Sequence, residues 1–116
     1  MDEACRVCQE AITLSEESGD EFGAALAHRT FAESLIRLRP PDVQWRREIL
    51  EAIRIQRGRG AQPELGRSYL SYARLLTAAG EVEQARAHLA QAIDMFRQMG
   101  MAWDLGRAEQ ALLEIG

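Results

Sequence analysis

One pattern recurs three times along the chain. Gln91–Ala108 reads QAIDMFRQMGMAWDLGRA, Glu51–Ser68 reads EAIRIQRGRGAQPELGRS, and Glu10–Ala25 reads EAITLSEESGDEFGAA. Each copy has Ala-Ile, a Gly eight residues after the Ala, and then an acidic-apolar-Gly step. Ala11, Ala52 and Ala92 lie 41 and 40 residues apart, as do Gly19, Gly60 and Gly100. Gly23, Gly66 and Gly106 follow at spacings of 43 and 40. A period near 40 residues restricts the chain to stacked supersecondary units, none of which can bury its apolar face alone.

Within a unit the periodicity is helical. In GRSYLSYARLLTAAG, apolar residues fall at Tyr69, Tyr72, Ala73 and Leu76, the i, i+3, i+4, i+7 pattern of one helix face. The following segment places Val82, Ala85, Leu89, Ala92, Ile93 and Phe96 on a second such face. Gly80 separates the two and fits a helix-terminating position, and Gly19, Gly60 and Gly100 would end the second helix of each unit. The spacing predicts six helices near 3–18, 21–38, 42–58, 63–79, 82–98 and 102–114. Pro40-Pro41-Asp42 is a stop and restart, and Pro63 is tolerated in a first helical turn.

At residues 69–93 the sequence resembles the tetratricopeptide repeat. Tyr69, Tyr72-Ala73 and Leu76 match that motif's first helix, Gly80 its turn, Val82 the bulky residue after it, and Ala85, Leu89 and Ala92 its second helix. Small residues let helices approach closely while large ones fill the gaps between repeats. The preceding unit matches at Phe31-Ala32, Leu35, Ile49 and Ala52. It departs at its longer Pro-Pro-Asp turn and at Trp45, where the family prefers Ala. Ala4, Cys8 and Ala11 match only a second helix, and residues 102–114 only a first.

The resemblance therefore implies an all-α chain, a short right-handed α-solenoid of about six antiparallel helices. It divides a single domain, 1–116, into a half repeat 1–20, repeats 21–60 and 61–100, and a terminal half repeat or capping helix 101–116. The long repeats look like those in helical regions of bacterial signalling ATPases, nucleotide-cyclase fusions and LuxR-type regulators. None of the enzymatic domains of those proteins is present.

Composition narrows the function classes. A formal net charge of −4 disfavours a dedicated nucleic-acid binder, which carries a basic face against phosphates. No apolar run approaches the roughly 18 residues of a membrane span. The start, MDEACRVCQE, is too acidic and polar to read as a signal peptide, and two Cys make no disulfide framework. The expected location is the cytoplasm. All 14 basic residues are Arg, a bias typical of GC-rich bacterial genomes.

The candidate chemistry is sparse. Cys5 and Cys8 form C-x-x-C without a preceding strand, and read as small apolar helix residues rather than a redox pair. His28 and His88 fall on different helices and make no metal set; His28 reads as a packing residue and His88 as a surface one. Gly58-Arg59-Gly60 lacks the strand and Lys of a phosphate loop. Asp20 and Glu21 fit a helix N-terminus, where capping explains them. No nucleophile–base pair can be assembled, so neither an enzyme nor a bound cofactor or metal is expected.

Mapping the family's concave face gives Leu26, Arg29, Glu33, Ile36 and Arg37, then Arg67, Leu70, Arg74 and Thr77, then Arg107, Gln110 and Glu114. Five Arg in an acidic chain would make a positive groove suited to an acidic or C-terminal peptide. The same residues also read as a solvated face with intrahelical pairs such as Arg29–Glu33 and Arg37–Glu33. The family's chaperone-binding variety holds a carboxylate with Lys and Asn, and this chain has neither. The last helix keeps Trp103, Leu105, Leu112, Leu113 and Ile115, enough apolar surface for a homodimer interface. A third reading places a small-molecule pocket near Tyr69, Tyr72 and Trp103.

Overall fold

The computed structural model describes residues 3–38 and 44–115, and the side chains of 6–35 and 44–115. Among the described residues every regular element is an α-helix: α1 (Glu3–Ser18), α2 (Glu21–Leu38), α3 (Gln44–Arg59), α4 (Gln62–Ala78), α5 (Val82–Met99) and α6 (Ala102–Ile115). The expected boundaries that fall on described residues agree to within one residue; the expected start of the third helix, at 42, lies outside them. The Pro40-Pro41-Asp42 restart lies outside the described residues, as do the side chains of Ala4, Cys5, Ile36 and Arg37. No helix among the described residues is long and apolar enough to cross a membrane.

Glycine sets the boundaries through one backbone device. Gly19, Gly80 and Gly100 adopt φ of 76°, 86° and 69°, the left-handed region that costs an L side chain about 1–2 kcal/mol. After each, the next N–H reaches back five residues: Asp20 to the Ser15 carbonyl (2.8 Å), Glu81 to Leu76 (2.8 Å) and Met101 to Phe96 (3.0 Å). The glycine N–H bonds the carbonyl three residues back in each case, which completes a Schellman closure. The same residue then opens the next helix, since Asp20, Glu81 and Met101 accept from the N–H groups of Ala24, Ala85 and Leu105. Asp20 adds a side-chain cap, its Oδ1 accepting from the Gly23 N–H at 3.0 Å. Pro63 lies in the first turn of α4, where a missing N–H costs nothing.

The helices group into two compact units, Met1–Gly60 and Ala61–Gly116. In the first, α2 packs against both α1 and α3. Ala24 and Ala25 of α2 meet Ala52 and Ile55 of α3 in an apolar cluster, four mostly small side chains that let the helices approach closely. Trp45, at a position where a small residue was expected, is 2% exposed, with the Arg46 guanidinium 4.8 Å above its ring. His28 is buried as expected, and its Nδ1–H donates to Glu48 Oε2 across the α2–α3 contact at 2.6 Å. A carboxylate only accepts, which fixes the proton on Nδ1. Cys8 is buried too.

In the second unit α5 packs against α4 and α6, and α4 also touches α6. Ala73, Ala85, Ala92 and Ala108 are fully buried, and Phe96, Leu76 and Leu89 fill the space between them. Gly66 has a steric role. A Cβ there would lie 2.7 Å from Phe96 Cε1, so the ring occupies the volume a side chain would need. The expectation for His88 fails. Rather than lying at the surface it is half-buried, stacked on Tyr69 (ring centroids 5.8 Å, 11° apart) and tilted against Tyr72 (4.6 Å). His88 stands three residues after Ala85 and four before Ala92, so it shares their face toward α4.

Candidate functional site

The second unit carries a candidate ligand site between α4 and α6. The two helices are tied at one level by Arg67. Its Nε and Nη2 donate to Asp104 Oδ1 and Oδ2 at 3.1 and 3.3 Å, and its Nη1 donates to Glu64 at 2.6 Å. Asp104 is 4% exposed, and a carboxylate so buried demands a paired cation. The two acceptors, Asp104 first and then Glu64, hold the Arg67 guanidinium above its ordinary value. Arg67 is therefore engaged within the chain.

Seven residues onward along each helix the surface opens. Ala73, Arg74, Thr77 and Ala78 of α4, Leu89 of α5, and Ala111, Glu114 and Ile115 of α6 line a depression of about 400 Å³. Ala73, Leu89 and Ala111 are buried and form an apolar floor. Arg74 and Glu114 are exposed on opposite rims. The Thr77 hydroxyl donates to its own helix, at the Ala73 carbonyl (2.9 Å). Gln110 makes a long 3.5 Å contact with Glu114. An exposed guanidinium above an apolar floor can take a carboxylate and an adjoining apolar side chain together.

The other expected groove residues fare differently. Leu70 is 2% exposed and packs in the interior. Arg107 lies 4.9 Å over the Trp103 ring, a cation–π arrangement. Arg29 and Glu33 are half-buried on α2, in the first unit. Of the apolar residues expected at an interface, Trp103 and Leu113 are 72% and 75% exposed, Leu112 is 37% exposed, and Leu105 and Ile115 are half-buried. The pocket expected near Tyr69, Tyr72 and Trp103 is not assembled from those rings. The tyrosines are buried against His88, whereas Trp103 faces solvent.

Sequence reasoning missed Asp104 and Glu64. The signal was present: Glu64-Leu65-Gly66-Arg67 and Asp104-Leu105-Gly106-Arg107 are one tetrapeptide repeated at 40 residues. The acidic residues of both copies are partners of Arg67.

A second depression, of about 380 Å³, lies in the first unit and is lined by residues that include Glu16, Asp20, Glu21, Glu51, Arg54 and Ile55. Four of its charged side chains are already engaged. Asp20 caps α2, Arg54 binds Glu51 through Nε at 3.0 Å and also through Nη2, and Glu21 pairs with Arg59 at 3.5 Å. The Arg54 hydrogen bond holds the Glu51 carboxyl below its ordinary value. Gly58-Arg59-Gly60 closes the C-terminal end of α3, whose exposed carbonyls repel rather than bind phosphate. Among the described residues no cluster of three or more His, Cys, Asp or Glu is placed to hold a metal ion.

No family model, curated protein or solved structure matches the chain.

Proposed function

We propose that the chain is a non-enzymatic protein-interaction module of tetratricopeptide type, its helices paired antiparallel in a short right-handed solenoid. Its setting in this reading is cytoplasmic and regulatory, in a bacterial cell. The ligand is a peptide segment bearing a carboxylate beside an apolar side chain. The observation that carries the reading is the α4–α6 depression, with Arg74 exposed above a floor of Ala73, Leu89 and Ala111. The contacts between α4 and α6 give further support. Arg67 meets Asp104, and Arg74 and Thr77 then share a depression with Ala111 and Glu114, at a constant offset of 37 residues. Two first helices lining one face side by side would make contacts at such an offset.

The groove has three anchoring parts in this reading. Arg74 supplies a forked, permanently charged donor. The apolar floor removes a neighbouring side chain from water. Glu114, on the far rim, disfavours peptides with acidic groups on both sides and so sets orientation. Arg67 takes no part in binding and holds the two walls at fixed separation.

The test is a fluorescence-anisotropy screen of acidic and C-terminal peptides, repeated on Arg74→Ala and, as a control, Arg97→Ala on α5. A charge-assisted hydrogen bond is worth roughly 1.5–3 kcal/mol, so Arg74→Ala is expected to weaken binding about tenfold or more, with Arg97→Ala near unity. Equal affinity of Arg74→Ala and the parent would remove the groove from the account.

A further inference from the structure

The α4–α6 depression holds two opposite charges that do not neutralise each other. Arg54, Arg59, Arg67, Arg86 and Arg97 each lie within ion-pair distance of a carboxylate. Arg74 differs. Among the described residues it makes no ion pair and no hydrogen bond, although Glu114 lines the same depression. The Glu114 carboxylate is nearly as open, since its one contact among the described residues is the 3.5 Å approach of Gln110 Nε2. On the same two helices Arg67 does close on Asp104, which lies 37 residues further on. At that offset Arg74 stands level with Ala111, and Glu114 stands level with Thr77. The two charges are therefore staggered by three residues along the helices, a rise of about 4.5 Å. Across the groove they are separated by the spacing of packed helices, about 8–10 Å. The backbone positions that carry them lie on a diagonal of roughly 10 Å.

We propose that the partner segment is dipolar: an extended stretch with a carboxylate for Arg74 and, three residues away, a Lys or Arg side chain for Glu114. Small apolar residues between the two charges lie over the floor of Ala73, Leu89 and Ala111. The inference rests on the groove reading above and narrows its ligand from acidic segments to segments carrying both signs. An extended chain rises about 3.3 Å per residue, so three residues span the diagonal. Side chains three apart on such a chain point to opposite sides, as two opposite rims require. A segment acidic at both positions sets a carboxylate against Glu114, and one basic at both sets a cation against Arg74. Like-charge contact rejects each. The field of the whole chain acts in the same direction. Its net charge of −4 repels a purely acidic segment, whereas a dipolar one carries no net charge to be repelled.

Fluorescence anisotropy with three labelled, C-terminally amidated peptides tests it. Each presents Glu-Ala-Val between Gly-Ser flanks, followed by Lys, Gln or Glu. On the parent chain the Lys peptide is expected to bind about threefold more tightly than the Gln peptide, and the Glu peptide about threefold more weakly, as suits a part-solvated ion pair. Glu114→Arg should reverse that order. Glu114 is exposed, and far-UV circular dichroism checks that the helices are retained in the variant. Arg74→Ala should weaken all three peptides. The proposal is overturned if the parent binds the three alike, or if Glu114→Arg leaves their order unchanged. Should that happen while Arg74→Ala still weakens binding, the groove stands and only its demand for a second charge falls. Absence of binding by every peptide, or indifference to Arg74→Ala, removes the groove and this inference together.

Discussion

Replacing Gly66 and Gly106 with alanine, one at a time, should move stability in opposite directions. Both are the fifth residue of their helices, and both sit in the acidic-Leu-Gly-Arg tetrapeptide. Sequence alone treats them alike. An alanine in a helix interior is favoured over glycine by about 0.8–1 kcal/mol. At Gly106 a new Cβ meets nothing within 4 Å, so the propensity gain stands unopposed. At Gly66 the Cβ would meet Phe96 Cε1 at 2.7 Å, Cζ at 3.2 Å and Cδ1 at 3.3 Å. Phe96 is 0% exposed, so its ring cannot swing out into solvent. Overpacking of this kind costs about 1–3 kcal/mol, which outweighs the propensity gain. Gly106→Ala is expected to gain roughly 0.5–1 kcal/mol, and Gly66→Ala to lose about 0–2 kcal/mol. Urea unfolding followed at 222 nm, at low micromolar concentration to keep any self-association out, reads both. Trimming the ring should expose the cause: Gly66→Ala should be tolerated better in a Phe96→Leu background than in the parent. Shifts of the same sign at the two glycines would refute the packing described for α4 and α5.

Two further perturbations follow from the charges. Arg67→Met strands the buried Asp104 carboxylate and is expected to cost about 3 kcal/mol or more in urea unfolding. Asp104→Asn leaves Arg67 with Glu64 and with solvent, and should cost no more than about half as much; equal costs would mean that Asp104 does not depend on Arg67. The Glu51–Arg54 pair gives a pH dependence. A carboxyl depressed in the folded state contributes stability above its unfolded value and loses it as pH falls through its folded value. Glu51 should therefore titrate below an ordinary glutamate in a carbon-detected NMR titration, and Arg54→Ala should return it toward that range, with only a small change in acid stability because the pair is largely solvated. An unchanged Glu51 titration in Arg54→Ala would assign the depression to another group.

Much of the fold was legible because its punctuation is backbone chemistry. Gly19, Gly80 and Gly100 stop helices by a conformation that other residues resist, and the signal is local. The helical faces were legible for the same reason, since Tyr69, Tyr72, Ala73 and Leu76 mark one side of a cylinder whatever packs there. The candidate site was less so. Arg67 looks like an available cation until α6 brings Asp104 to it, and that contact spans 37 residues of chain. Leu70 occupies a lining position by angle, yet exposure depends on neighbours that periodicity does not specify. His88 was misjudged by its adjacency to Leu89, when its spacing from Ala85 and Ala92 already placed it on the α4 face. Gly66 and Gly106 show the limit most directly, since the same Leu-Gly-Arg step surrounds a filled space in one case and an open one in the other.

The most direct test of the interaction-module account is to map peptide binding by NMR. Amide shifts of the isotopically labelled chain would be followed during titration with the tightest acidic peptide from the screen. The account predicts that the largest changes fall on Arg74, Thr77, Ala111 and Glu114, with Val7 and Leu113 unmoved. Changes centred on the exposed faces of α1 or α6, or none with any peptide, would contradict it.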